Sequence, residues 1–181
     1  MNVRWSASDE EGVTLVELLI IIFVSVLFLG LLAVLFSDGL SAQQRATSRD
    51  GATGKALVVS TSLQSSIRNA TAVAVSGSGA RVDAVVMTAA GGFECRAWAL
   101  DVGGALRYSS GTDARGVDVS SWKPLTQGAR GTLAAGAAFA MNGVRGIDVG
   151  IAVTVGDETA RVTDGVTAQA VANADEVPAC W

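Results

Sequence analysis

Histidine is absent from the chain, and cysteine, proline and tyrosine are scarce: two, two and one among 181 residues. Without histidine there is no Ser-His-Asp or Cys-His catalytic arrangement, and the usual zinc-ligand sets are out of reach. No Gly-Lys-Ser/Thr phosphate loop and no Rossmann glycine fingerprint occurs, and Gly77 and Gly79 lie in a Ser-Gly segment with neither context. Arginine far outnumbers lysine, yet the cations form no cluster and the formal net charge is −4. A nucleic-acid face needs a concentrated basic patch, so none is expected. These gaps point away from an enzyme, from a cofactor and from a resident metal. Asp157, Glu158, Asp164, Asp175 and Glu176 have the chemistry to hold calcium, but they read more simply as solvated acidic loops.

What the chain has instead is one long apolar run, residues 13–36, in which Glu17 is the single ionisable side chain. At about 1.5 Å per residue this run crosses a bilayer core of about 30 Å as one helix. A carboxylate inside such a helix is costly and marks function by default. Residues 1–12 are polar and carry Arg4, Asp9, Glu10 and Glu11. An ordinary secretory signal has a basic start, an apolar core of about 7–15 residues and a small-x-small cut site after it. Here the apolar run is too long and the small residues beyond it are poorly placed. A cut therefore belongs before the run.

The junction reads Gly12-Val13-Thr14-Leu15-Val16-Glu17. It resembles the processing signature of type IV prepilins and pseudopilins, whose usual form is Gly-Phe-Thr-Leu-x-Glu; only the phenylalanine is replaced, by Val13. The resemblance covers about the first fifth of the chain. It implies a prepilin peptidase that cuts between Gly12 and Val13 on the cytoplasmic side and N-methylates Val13. Thr14, Leu15 and Glu17 then belong to processing and assembly. In a packed bundle of helices the new amine on Val13 would need a counter-charge. Glu17 of a neighbouring subunit is the expected partner, although a carboxylate one turn into a helix also gains about 0.3–1 kcal/mol from the helix dipole alone. Further partners implied are other pilin subunits, an assembly platform in the cytoplasmic membrane, and lipid before extraction. The expected location is a single-pass cytoplasmic-membrane protein with its N-terminus inside, later a surface pilus or pseudopilus.

Beyond Phe36 the composition turns polar. Leu57, Val59, Leu63, Ile67 and Ala70 recur at spacings near three and four, the period of an amphipathic helix. Leu63 to Ala70 also resembles the Leu-x-x-x-Leu/Ile-Arg-x-Ala segment of minor pilins. The expectation is one long helix, with 13–36 as the membrane half and 37–76 as an amphipathic continuation. Gly39, Gly51 and Gly54 each cost about 1 kcal/mol relative to alanine, which places a bend at 50–54. No proline interrupts it.

From Ser76-Gly77-Ser78-Gly79 onward the period becomes two. Strands are expected at 81–89, 93–100 and 105–109, with a hairpin turn at 101–104, and a second hairpin at 147–155 and 159–171, turned at 156–158. Residues 110–146 are rich in glycine and alanine and show no clear pattern. The fold expected is α+β: a long helix on an antiparallel sheet, pilin-like, with 77–181 forming the β-rich domain.

If that domain lies outside the cytoplasm, Cys95 and Cys180 are free to oxidise. They are either two buried thiols or a disulfide; the disulfide is expected, because it gives the C-terminal tail a reason to be ordered. Trp98 and Trp122 are expected in the core, and Trp181 either over the bridge or against a partner. The functional expectation is a structural subunit of a type IV pilus-like fibre, a minor pilin. The alternatives are a pseudopilin of a type II secretion or DNA-uptake machine, or a membrane-anchored extracytoplasmic binding domain that does not polymerise.

Overall fold

The computed structural model describes residues 14–172 and 178–181. Two compact units meet between Gln44 and Arg45, and a single helix, α1 (Leu15–Arg68), contributes to both.

In the N-terminal unit every described residue is exposed. This part of α1 is long and apolar enough to cross a membrane. Its large side chains, from Leu15 to Phe36, are 44–78% exposed. Gly30 and Gly39 have open space where a Cβ would stand, so neither marks a close contact within the chain.

In the second unit α1 turns one stripe inward. Ala52, Ala56, Val59, Leu63, Ser66 and Ile67 are buried, at the three- and four-residue spacing that puts them on one helix face. The helix runs through 50–54 without interruption, so Gly51 and Gly54 do not break it. Burial of Ala52 and Ala56 on either side of Gly54 outweighs the small propensity cost of the glycines. Nor does the helix reach residue 76. It stops at Arg68, where the Asn69 amide donates to the Ser65 carbonyl, and β1 (Ala70–Ser76) follows at once. Thr71, Val73 and Val75 are β-branched at alternate positions, which suits a strand better than a helix. The 37–76 helical assignment is therefore corrected to end at Arg68.

β1 opens an antiparallel meander with β2 (Arg81–Met87), β3 (Phe93–Leu100), β4 (Ala105–Gly111) and β5 (Lys123–Gln127), hydrogen-bonded in that order. The turn between β3 and β4 falls at 101–104 as expected. A second sheet is built on β8 (Gly146–Val155). One side of β8 pairs along its whole length with β9 (Glu158–Thr167). Its other side is shared by β6 (Ala129–Gly131) and β7 (Phe139–Asn142). Gly156 makes the β8–β9 turn at φ +57, and a Cβ there would lie 2.9 Å from Ser48 Oγ on α1, so both backbone and space demand glycine.

The expectation of one sheet thus becomes two, which share one core. Leu63 and Ile67 of α1, Val82, Ala84 and Val86 of β2, Trp98 of β3, Phe139 of β7, and Ile147, Val149, Ile151 and Val153 of β8 fill it. Trp98 is fully buried; its indole N–H donates to Ser62 Oγ on α1 at 3.0 Å, and its ring lies 5.3 Å from Tyr108. A buried indole with a partner for its N–H locks helix to sheet. This is an α+β fold, with α1 packed on antiparallel sheets.

Candidate functional site

The helix start is the first candidate. Gly12 and Val13, the expected cleavage and methylation positions, lie outside the described residues. Thr14 immediately precedes α1, and the Glu17 backbone N–H donates to Thr14 Oγ1 at 3.3 Å. Thr-x-x-Glu at a helix start is the capping-box pattern, in which the hydroxyl satisfies one orphan N–H and the acid stands at the third helical position. The sequence carries this signal plainly, yet the assembly reading of Glu17 passes over it. Leu15 is the first helical residue and is 78% exposed. The Thr14 hydroxyl therefore has a local task in capping the helix, and beyond it the surface to Phe36 is apolar and uncovered by the other described residues.

The second candidate is the cysteine pair. Cys95 on β3 and Cys180 in the tail form a disulfide with a Cα–Cα distance of 5.4 Å, both buried against Val85 with Ala72 and Phe93 alongside. Val85 and Cys95 stand opposite one another on the face of the first sheet that points away from the main core. The tail reaches that face after Ala168, Gln169 and Ala170 donate backbone hydrogen bonds to Arg145, Arg68 and Ala70 in turn. Trp181 remains 58% exposed.

The same face holds a cluster that sequence reasoning missed. The Arg81 guanidinium makes a two-pronged pair with Asp83, at 2.8 Å from Nε and 2.7 Å from Nη2. It also donates to the carbonyls of Arg115 and Gly116 and lies 5.0 Å over the Trp122 ring. Asp83 is 1% exposed. The arrangement pins the β4–β5 connection across the sheet. Arg81-x-Asp83 on one strand face was the available signal; the two carbonyls it serves come from a stretch without pattern. Trp122 packs here with Ala97, Ala99 and Val119 and not in the main core.

Two further pairs brace the first sheet. Arg107 binds Asp101 at 2.7 Å, and Arg96 binds Glu94 at 2.7 Å while also reaching Ser66 Oγ on α1. Asp101 sits below the usual carboxylate range because the Arg107 guanidinium and the Ala105 N–H both favour its charged form. Burial alone would raise the Glu94 carboxyl, but the Arg96 guanidinium and Ser110 hydroxyl outweigh it and lower it. The exposed Asp118 is lowered by the Ser120 hydroxyl and N–H.

Among the described residues no three acids or cysteines come together in a metal-binding group. Asp157 and Glu158 stand at the β8–β9 turn, Asp164 accepts from the Gln64 amide, and Asp175 and Glu176 lie outside the described residues. What the arrangement offers is surface and rigidity: an uncovered apolar helix, and a domain closed by a disulfide and an arginine clip. Comparisons with protein-family models, curated proteins and solved structures gave no match to this chain.

Proposed function

We propose that the chain is a structural subunit of a type IV pilus-like fibre, a minor pilin, whose N-terminal helix is its assembly element. The observation that carries this reading is the helix surface of residues 15–36: wholly exposed, apolar, and bearing one carboxylate, Glu17, three positions after the capping Thr14. Such a surface must be covered, first by lipid and then by the helices of neighbouring subunits. The signature at Gly12 and Val13 supplies the route from one state to the other. Cleavage there removes the polar leader and leaves a mature helix that begins at its cap. The braced sheets of the second unit suit a domain carried on a fibre.

In the assembled fibre the Val13 amine takes its counter-charge from Glu17 of a neighbour, which fixes the axial stagger. The Glu17→Ala chain is then still cleaved but enters the fibre poorly; incorporation at the wild-type level would remove Glu17 from the mechanism. The test of the whole reading is intact-mass and N-terminal peptide analysis of the protein from its own cells, wild type against Gly12→Lys. A methylated chain starting at Val13, lost in the variant, is the expected result. A chain still starting at Met1 would replace the fibre subunit with a membrane-anchored domain.

A further inference from the structure

The sheets of the second unit leave several edges, of which β9 is the longest. The β5 edge begins Lys123-Pro124, and proline has no N–H to offer a neighbour. The first carbonyl of β1 is taken by Ala170 N–H. β6 and β7 are three and four residues long, and the Ala138 N–H just before β7 is already bonded to Gly79. β9 is different. It is ten residues long, contains neither proline nor lysine, and runs in unbroken register with β8.

The Gly156-Asp157 turn is a two-residue hairpin, so Glu158, Ala160, Val162, Asp164 and Val166 form the hydrogen-bonded pairs with β8. Thr159, Arg161, Thr163, Gly165 and Thr167 then direct their backbone groups to the open side. The Gly165 N–H accordingly bonds the Asp164 carboxylate at 2.9 Å, not a strand. Among the described residues no other backbone pairs with this row. Unpaired N–H and C=O groups at strand spacing are a template for one kind of ligand, an extended polypeptide.

Beside the row lies a groove of about 580 Å³ between α1 and β9, with Ala56, Leu57, Ala160 and Val162 among its lining. Leu57 is 65% exposed, and the Gln64–Asp164 hydrogen bond lies along the same groove. On the opposite face of β9, Arg161 is exposed and belongs to none of the ion pairs among the described residues.

We propose that the open edge of β9 accepts an extended strand from another protein, with apolar side chains over the α1 groove and a carboxylate facing Arg161. A second copy of this chain fits less well. Pairing through its own β9 would set Thr159, Arg161, Thr163 and Thr167 against Arg161, and pairing through β1 would offer only alanine, threonine, valine and serine, so neither gives Arg161 an acidic partner. The inference stands apart from the fibre reading, since an anchored domain would carry the same edge.

The test uses the full chain in detergent micelles and a fluorescent nine-residue peptide alternating threonine and valine with a central glutamate. The control peptide has lysine at the centre. Saturable binding by anisotropy is expected, about two- to thirtyfold tighter for glutamate than for lysine, the range of one favourable cross-strand charge pair gained and one like-charge pair avoided. Arg161→Glu reverses that preference. Thr163→Pro abolishes binding while leaving the melting temperature unchanged, because that N–H serves no bond within the hairpin. A glutamate peptide N-methylated on the amides facing β9 does not bind the wild-type chain, a control that needs no variant to fold. Absence of saturable binding, equal binding of the two peptides, or retained binding of the N-methylated one overturns the proposal. Concentration-dependent dimerisation of the wild type, removed by Thr163→Pro, would assign the edge to a second copy and overturn it too.

Discussion

Replacing Arg81 by methionine isolates the clip on the outer face of the first sheet. The methionine keeps the length of the side chain and removes the charge. It leaves Asp83, 1% exposed, as a carboxylate without its two-pronged partner, and strips donors from the carbonyls of Arg115 and Gly116. Removing one member of a buried ion pair costs about 3–5 kcal/mol, mostly the penalty of the charge left behind. For a unit of this size that lowers the melting temperature by about 10–20 °C. The double change Arg81→Met with Asp83→Leu removes both charges and recovers most of the loss, because the pair itself contributes little beyond an apolar replacement. Thermal unfolding of the full chain in micelles, followed by tryptophan fluorescence, measures all three. Limited proteolysis adds a local readout, since the 112–121 connection loses its tether in both variants. A single variant within about 1 kcal/mol of wild type, or a double variant no better than the single, would refute the reasoning that the stranded carboxylate dominates.

Three other outcomes follow from the same packing. Changing Cys95 and Cys180 together to alanine opens a loop closed over a separation of 85 residues and costs about 4–5 kcal/mol by the chain-entropy model, read as an earlier unfolding midpoint; the C-terminal tail then becomes the first site of protease cutting. Trp98→Ala costs about 3–5 kcal/mol and Trp98→Phe less, since phenylalanine keeps the ring beside Tyr108 and loses only the bond to Ser62; a phenylalanine variant as unstable as the alanine one would contradict this. Glu94 and Asp101 are lowered in the folded chain, so their contribution is complete above their ordinary values of 4.5 and 3.8 and is lost as pH falls below them through the folded values. Melting temperature should accordingly decline on acidification below about pH 4.5, and neutral variants of both acids should flatten that decline.

The sequence was most legible where one residue type dominated a stretch or where pattern and boundary agreed. The apolar run to Phe36 and the α1 stripe through Leu63 and Ile67 stand out by composition and period. β3 was readable to the residue because Gly91-Gly92 and the 101–104 turn bracket it. The cysteine pairing was legible because the chain has only these two. The helix end was misplaced because Ala70-Thr-Ala-Val-Ala-Val satisfies both periods, and what decides is pairing with β2, a contact between different parts of the chain. β5, β6 and β7 were invisible for another reason: they are three to five residues long, below the reach of any periodicity. The Arg81 clip depends on carbonyls from a patternless loop, and the bare edge of β9 on which strands pair with which. Neither exists before the fold does.

The disulfide also decides how the domain responds to pulling. Cys180 lies beyond β9, next to Trp181, and its partner Cys95 lies in β3, flanked by β2 on one side and β4 on the other. Tension on Trp181 therefore bypasses every strand from β4 to β9 and arrives in the interior of the first sheet. An unfolding machine that grips the chain beyond Cys180 cannot peel strands off one at a time; it must draw β3 from between two neighbours at once, or wait for a reductant.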